Sequence, residues 1–356
     1  MSDWYTRLLP LLCRLPAETA HKLALTALER GLVPAPVRGS DPILRLRAFG
    51  RELANPIGLA AGFDKNARVF ARIPALGFGF AEVGGITPLP QAGNPRPRLF
   101  RLVEDRALIN RMGFNNDGLD TIARRLERHA GDGQFVAANL ASNTNSSDPL
   151  NDFVVLAKRL APLVELLVVD VSCPNTANGK MFQRREPLRE LLTRLGTVRG
   201  ATPMALKVSP DLTDEEKSDI VELALAHGVD GMVVANTTIA RPPTLRSAHK
   251  GERGGLSGPP VKEMSRRLLG EVYRASRGKL TLIGVGGIES GADAYASIRA
   301  GASLVQLYTA LVYRGPMQIP RIKAELAYLL RQDGFDDIAQ AIGVEHGQKA
   351  VEGQTA

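Results

Sequence analysis

The sequence predicts an α/β fold, a single (β/α)8 TIM barrel with an N-terminal helical subdomain, and three observations carry that expectation. From Asn55 onward short apolar runs recur between helix-like segments, there are eight of them, and they are nearly continuous in apolarity rather than alternating. Uninterrupted apolar strands are expected where a parallel sheet is covered on both faces. Eight βα units in a stretch of this size match a TIM barrel in number and length, whereas a doubly wound sheet has no reason to stop at eight.

The elements before the barrel are helical. DWYTRLLPLLCRL and PAETAHKLALTALERGL both have helical apolar spacing, the second entered through Pro16 and ended at Gly31. Their leucines could make an apolar surface, but Arg7, Arg14 and Lys22 interrupt it well short of the roughly 20 apolar residues a membrane span needs. No small-residue cleavage site follows an uninterrupted apolar core, so a signal peptide is not expected. Two readings stay open for residues 1–40: helices packed on the main domain, or an amphipathic pair that also dips into a membrane face.

The eight strands are expected in PIGLA (56–60), GFAEVG (79–84), FVAANL (135–140), LLVVDV (166–171), PMALKVS (203–209), GMVVAN (231–236), LTLIGVG (280–286) and SLVQLY (303–308). They set a barrel domain over 41–340. The end of the chain, 341–356, shows no apolar period and is expected to be a flexible tail.

Composition narrows the class. The 356 residues are 44% hydrophobic and 23% charged, as in an ordinary globular protein. Cys13 and Cys173 are too few for a disulfide framework, which suggests a reducing compartment. The 45 Lys+Arg against 37 Asp+Glu give +8, which a solvated basic surface, anionic lipid or a phosphorylated ligand would each explain. Nucleic acid is not expected, since 5% aromatics and no RNP-like or zinc pattern leave only the charge.

In such a barrel the chemistry sits at the C-terminal ends of the strands. Read in order, these ends carry Lys65, Gly84 and Gly85, Asn139, Asp170 and Cys173, Lys207, Asn236 and Thr237, Gly286 and Gly287, and Tyr308 and Thr309. The last two strands are where many such barrels hold a phosphate, and GVGGIESG with QLYTALVYRG suits one. No histidine lies on a predicted strand end and no carboxylates cluster there, so no metal is expected. What remains, amides, hydroxyls, two lysines and a thiol, suits a planar polar ring held by fixed hydrogen bonds. A lysine beside a flavin would offset the negative charge gained on reduction. Cys173, in a loop just after its strand, could serve as a general base if its pKa, about 8.5 when free, is lowered.

These residues resemble the dihydroorotate dehydrogenase family, particularly its membrane-associated, quinone-reducing class. The resemblance runs from about Trp4 to Ala339 through NPIGLAAGFDKNA (55–67), ITPLPQAGNPRPRLFRL (86–102), LINRMGFNNDG (108–118), SCPNT (172–176), KVSPDL (207–212), NTT (236–238), GGLSGPP (254–260), GVGGI (284–288) and GASLVQLYTALVYRGP (301–316). It implies FMN across the barrel mouth, held by Ala61, Gly62, Lys65, Gly85, Asn139, Asp170, Lys207, Ala235, Gly258, Gly287, Tyr308 and Thr309. It implies dihydroorotate or orotate gripped by Lys65, by Asn110, Arg111, Met112, Gly113 and Phe114, and by Asp170, Asn175, Asn236 and Thr237. Cys173 takes the position of the family's catalytic base. A membrane quinone as acceptor, a quinone tunnel and peripheral membrane contact through residues 1–40, and a place on the cytoplasmic side of the inner membrane are implied in the same way.

The chain departs from the quinone-reducing pattern at several points. That class normally has Ser at the base position, whereas soluble members have Cys; Asp170 replaces an Asn, Gly85 and Ala235 stand where Thr is usual, and Ala141 and Ser142 alter the NxGKN pattern. A buried carboxylate needs a partner or a proton. The fifth strand lies beside the fourth, so Lys207 is expected to pair with Asp170; otherwise Asp170 stays protonated and imitates the Asn donor. Long loops after the fourth and sixth strands are expected to cover the site, with Arg241, Arg246, Lys250 and Arg253 attracting an anionic substrate or merely solvated. The competing readings are a sister FMN barrel acting on another cyclic amide or pyrimidine, an RNA-modifying flavoenzyme of the dihydrouridine synthase kind, and a non-catalytic binding barrel.

Overall fold

The computed structural model describes residues 4–35, 39–129, 131–172 and 181–347. Helices α1 (Trp4–Arg14) and α2 (Ala17–Glu29) meet across Pro16, whose φ of −53° and missing N–H suit the residue that precedes a helix. Helix α1 buries none of its side chains. It is tied down by Tyr5, whose hydroxyl donates to the Val312 carbonyl at 2.8 Å, and by Arg101, which donates to the carbonyls of Leu12, Cys13 and Leu15. Helix α2 buries Leu25 and Leu28, and its Glu18 holds Arg98 at 3.0 Å and Arg96 at 3.3 Å. Leu8, Leu11, Leu23 and Leu32 remain exposed. Among the described residues no helix is long and apolar enough to cross a membrane.

A hairpin of β1 (Leu46–Ala48) and β2 (Arg51–Leu53) follows, turning at Phe49 and Gly50 with φ of 50° and 73°, the signs a type I′ turn requires. The Phe49 ring lies 6.2 Å from that of Phe135, and a Cβ on Gly231 would stand 2.8 Å from it. Both residues start barrel strands, so the hairpin closes the N-terminal mouth.

The chain then runs β3 (Ile57–Leu59), β4 (Phe80–Ile86), an inserted hairpin of β5 (Leu99–Leu102) and β6 (Ala107–Asn110), α3 (Leu119–Glu127), β7 (Phe135–Leu140), α4 (Pro149–Leu160), β8 (Leu166–Asp170), α5 (Arg185–Val198) and β9 (Met204–Val208). It continues through α6 (Asp214–Ala226), β10 (Gly231–Val234), β11 (Gly255–Ser257), α7 (Lys262–Ser276), β12 (Thr281–Val285), α8 (Gly291–Arg299), β13 (Leu304–Leu307), α9 (Thr309–Arg314) and α10 (Gln318–Gln332). Each of the eight expected runs supplies one strand of a closed parallel barrel in the order β10-β12-β13-β3-β4-β7-β8-β9. Between β3 and β4 the connection is a 3₁₀ stretch, Phe70–Leu76, because Pro74 removes an amide donor that a longer helix would need. Strand β11 pairs with β6, giving a three-stranded sheet, β11-β6-β5, outside the barrel.

Local sequence explains the helices. Helix α5 buries Leu188, Leu191, Leu192 and Leu195, one apolar stripe at helical spacing. Helix α6 starts at a capping box in which the Thr213 hydroxyl accepts from the Glu216 N–H while Glu216 accepts from the Thr213 N–H at 2.8 Å.

Inside the barrel, Phe80 packs against Gly58 so closely that a Cβ on Gly58 would stand 2.2 Å from the ring. Gly58→Ala is therefore expected to cost about 1–3 kcal/mol by overpacking, read as a lower midpoint in urea unfolding. An unchanged midpoint would show that the ring yields without cost.

The C-terminal segment differs from the loose tail expected. Short 3₁₀ turns cover Ile338–Ala341 and Val344–His346, and the His346 ring stacks on Tyr273 at 5.4 Å while its Nε2 lies 3.1 Å from the Ala300 carbonyl. Packing on α7 holds the chain as far as His346; residues 348–356 lie outside the described residues.

Candidate active site

The inward faces of the barrel change from apolar to charged toward the C-terminal ends of the strands. Phe80 is followed two residues on by Glu82, which points the same way, as alternation requires. Glu82 is fully buried, and Lys207, almost as buried, places Nζ 3.0 Å from its Oε1. Asn139 Nδ2 donates to the same oxygen at 2.7 Å, and Gln306 Nε2 donates to Oε2 at 2.8 Å. Four strands, β4, β7, β9 and β13, thus meet at one carboxylate.

Lys207 is the register partner of Asp170 on the neighbouring strand, yet the expected ion pair between them is not made. The lysine is long enough to cross the barrel to Glu82. Asp170 turns to its own loop: the Ser172 N–H donates to its Oδ1 at 3.0 Å, the Ser172 hydroxyl at 2.8 Å, and Asn236 Nδ2 donates to its two oxygens at 3.4 and 3.3 Å. Burial pushes the Asp170 pKa up, opposed by the nearby Lys207 charge and the Ser172 hydrogen bonds.

That shift has a stability consequence with a definite sign. Because the folded-state pKa lies above the ordinary 3.8, the contribution of this carboxyl is full when it is protonated and declines as pH rises from that value through the folded pKa. Asp170→Asn, neutral throughout, removes the decline. Its melting temperature relative to the parent is expected to rise across that window and level off above it. A difference that does not change with pH would assign the titration elsewhere.

Above the Glu82 cluster is a cavity of ≈ 300 Å³. The Lys207, Asn139, Gln306 and Asp170 side chains form its floor, Gly85 comes to it from the end of β4, and Ala61, Gly62, Ala235, Asn236 and Thr237 come from the loops after β3 and β10. Lys65 lines it and donates to the Gly62 carbonyl at 2.6 Å. The Gly84–Gly85 and Val234–Ala235 peptide bonds at its edge are cis. Two floor atoms, Asn139 Oδ1 and Gln306 Oε1, are buried with no hydrogen-bond partner among the described residues.

One end of the cavity is built from Gly258, Gly287, Tyr308 and Thr309, with the Ser257 and Thr309 hydroxyls 2.9 Å apart. Gly286 and Gly287, with φ of 120° and 73°, make a turn that a side chain would strain. Another wall is the loop after β6. Asn110, Met112, Gly113 and Phe114 line the cavity, and a Cβ on Gly85 would carry a side chain into the Phe114 ring, 2.6 Å away.

Arg111 does not line the cavity. Its guanidinium donates to Glu252 at 2.8 Å and to the carbonyls of Arg253 and Pro97 at 2.9 Å each, and lies 4.5 Å over the Phe100 ring. It clamps the outer sheet to the loop after β10. Three basic residues of that loop are engaged in a similar way: Arg241 donates to the Glu252 and Gly254 carbonyls, Arg246 to the Glu104 carbonyl, and Lys250 to the Leu245 carbonyl. Arg241 and Lys250 tie the loop to itself, and Arg246 ties it to the inserted hairpin. Cys173 and Asn175 lie outside the described residues, as does most of the loop after β8.

The remaining wall is α2, through Glu18, His21, Lys22 and Leu25, one helical stripe. The His21 ring stands edge-on to Phe63 at 5.2 Å, and Phe63 is edge-on to Tyr308 at 5.6 Å. Burial, then the Lys65 charge, lowers the His21 pKa to about 4, so the imidazole is neutral at neutral pH. Burial also raises the Tyr308 pKa. Glu82, Gln306 and His21 were not among the residues expected from sequence. The first two carried a signal, a polar residue inside an apolar strand, while His21 carried none because it comes from a helix outside the barrel.

The dihydroorotate dehydrogenase family model matches residues 43–330. A protein of Rhodospirillum rubrum named dihydroorotate dehydrogenase (quinone) is 51% identical over 97% of this chain and 96% of its own length, and one of the same name from Azorhizobium caulinodans is 46% identical over 96% and 99%. The crystal structure of DHODH from Eimeria tenella in complex with ferulenol superposes with a TM-score of 0.89 at 40% identity, covering 93% of this chain and 96% of that one. Matched along nearly its whole length, and with the barrel and helices these relatives imply, the chain belongs to the quinone-dependent branch of the dihydroorotate dehydrogenase family.

Proposed function

We propose that this protein oxidises dihydroorotate to orotate in de novo pyrimidine synthesis, with FMN as its cofactor and a membrane quinone as electron acceptor. The observation that carries the reading is the shared cavity: strand-end amides and Lys207 form its floor, and α2 forms one of its walls. The residues fit FMN. Two unpartnered buried carbonyl oxygens, Asn139 Oδ1 and Gln306 Oε1, suit the N–H edge of a planar ring, and the turn at Gly286 and Gly287, with Gly258 and Thr309, suits a phosphate tail.

On this reading Ala61, Gly62, Lys65, Gly85, Asn139, Asp170, Lys207, Ala235, Gly258, Gly287, Tyr308 and Thr309 hold FMN. Lys65, Asn110, Met112, Gly113, Phe114, Asp170, Asn175, Asn236 and Thr237 hold the substrate, and Arg111 acts by fixing their loop. When bound, FMN supplies the two-electron acceptor for the hydrogen that leaves C6. Cys173 accepts the C5 proton at its sulfur. The Phe114 ring and the loop after β10 keep water from the reacting carbons.

The test is to mix flavin-loaded protein anaerobically with dihydroorotate, follow bleaching, then add quinone, fumarate or NAD separately. Bleaching reversed by quinone is the expected result. Intact FMN that dihydroorotate does not bleach would mean that Asp170, Gly85 and Ala235 have changed the substrate, and the sister-enzyme reading would replace this one.

We assign residues 1–40 to quinone access and peripheral contact with the inner membrane on its cytoplasmic side. Leu11 and Leu23 are exposed on α1 and α2, and burying each in lipid is worth about 1.5–3 kcal/mol. Leu11→Glu/Leu23→Glu is therefore expected to weaken sedimentation with anionic vesicles by at least about tenfold while leaving bleaching by dihydroorotate intact. Equal loss of both would make the helices structural only.

A further inference from the structure

Glu82 does not line the cavity, but three of the groups that do are fastened to it. Its Oε1 accepts from Asn139 Nδ2 at 2.7 Å and Lys207 Nζ at 3.0 Å, and its Oε2 accepts from Gln306 Nε2 at 2.8 Å. A carboxylate accepts and never donates, so it compels all three donors to point down. An amide whose NH₂ points down must hold its oxygen up. That is why the Asn139 and Gln306 oxygens are left buried and without partners. Packing alone would be served as well by an apolar side chain, since a buried ion pair is weak grounds for stability.

We propose that Glu82 is a positioning residue for the flavin site: it locks Asn139 and Gln306 with their acceptors toward the ring and offsets the charge of Lys207 beneath it. The inference rests on the FMN reading above. The carboxylate thereby sets how strongly the site favours the reduced over the oxidised cofactor. With Glu82 present, the floor offers a neutral pair and two acceptors; without it, it offers an unopposed cation and amides able to turn.

The test compares the midpoint potential of bound FMN in the holoprotein and in Glu82→Gln, by spectroelectrochemical titration. The variant is expected to bind reduced relative to oxidised FMN at least about tenfold more tightly than the parent, a rise of about 30 mV for two electrons. A potential unchanged in Glu82→Gln holoprotein would overturn the proposal. Should that variant not fold, Glu82→Gln/Lys207→Met buries neither charge and carries the test instead: its potential is expected at or below that of the parent, and one above it would overturn the proposal. Parent protein that takes up no FMN would remove the cofactor reading itself, and this is visible before any variant is made.

Discussion

Cys173→Ala is expected to slow the bleaching of bound flavin by dihydroorotate about 10²–10⁴-fold, the usual contribution of a general base, with flavin content unchanged. The oxidation needs a proton taken from C5 as hydrogen leaves C6, and on the proposed reading the thiol is the group that takes it. Its neighbour Ser172 is held by N–H and hydroxyl to Asp170, and Asn236 Nδ2 donates to the Ser172 hydroxyl at 3.0 Å, so the chain enters this loop from a fixed point. Cys173→Ser is expected to keep part of the rate with its pH profile moved to the alkaline side, because an alcohol is far less acidic than a thiol, whose ordinary pKa is about 8.5. Stopped-flow absorbance under anaerobic conditions measures both. Flavin lost while bleaching persists in the remaining holoprotein would contradict the assignment.

Lys207→Met is expected to destabilise the protein by about 3–5 kcal/mol, the cost of leaving a buried charge without its partner. Glu82 has no exposure to water through which to be solvated. It would keep two amide donors and lose its cation. Urea unfolding monitored by circular dichroism should therefore show a lower midpoint, and the double variant Glu82→Gln/Lys207→Met should recover most of the loss. A double variant no more stable than the single would show that the methionine packs badly, not that a charge was stranded.

The barrel was legible because a parallel strand buried on both faces leaves a near-continuous apolar run, and eight such runs with helices between them admit few closures. The β1–β2 hairpin and the β11-β6-β5 sheet were not, because strands of three or four residues such as Leu46–Ala48 and Gly255–Ser257 are too short to show a period. In the site, position along a strand end was readable, but direction and reach were not. Asp170 and Lys207 are neighbours in register, and adjacency suggested a pair; a lysine's four-carbon stem instead spans the barrel, while a short Asp side chain finds the N–H two residues on. Arg111 sits within the motif that grips the substrate in the resemblance, yet the outer sheet claims its guanidinium, and no local pattern announces a partner as distant as Glu252.

The outer sheet also imposes a schedule on synthesis. Strand β6 cannot gain its second neighbour until β11 has left the ribosome, and Asn110 and Gly255, which face each other there, are 145 residues apart in the chain. At about 5–20 residues per second, the inserted hairpin waits roughly 7–29 s with one edge unpaired. Throughout that interval the edge of β6 that β11 will cover presents unpaired backbone N–H and C=O groups, a template with which a strand of a second nascent chain can pair.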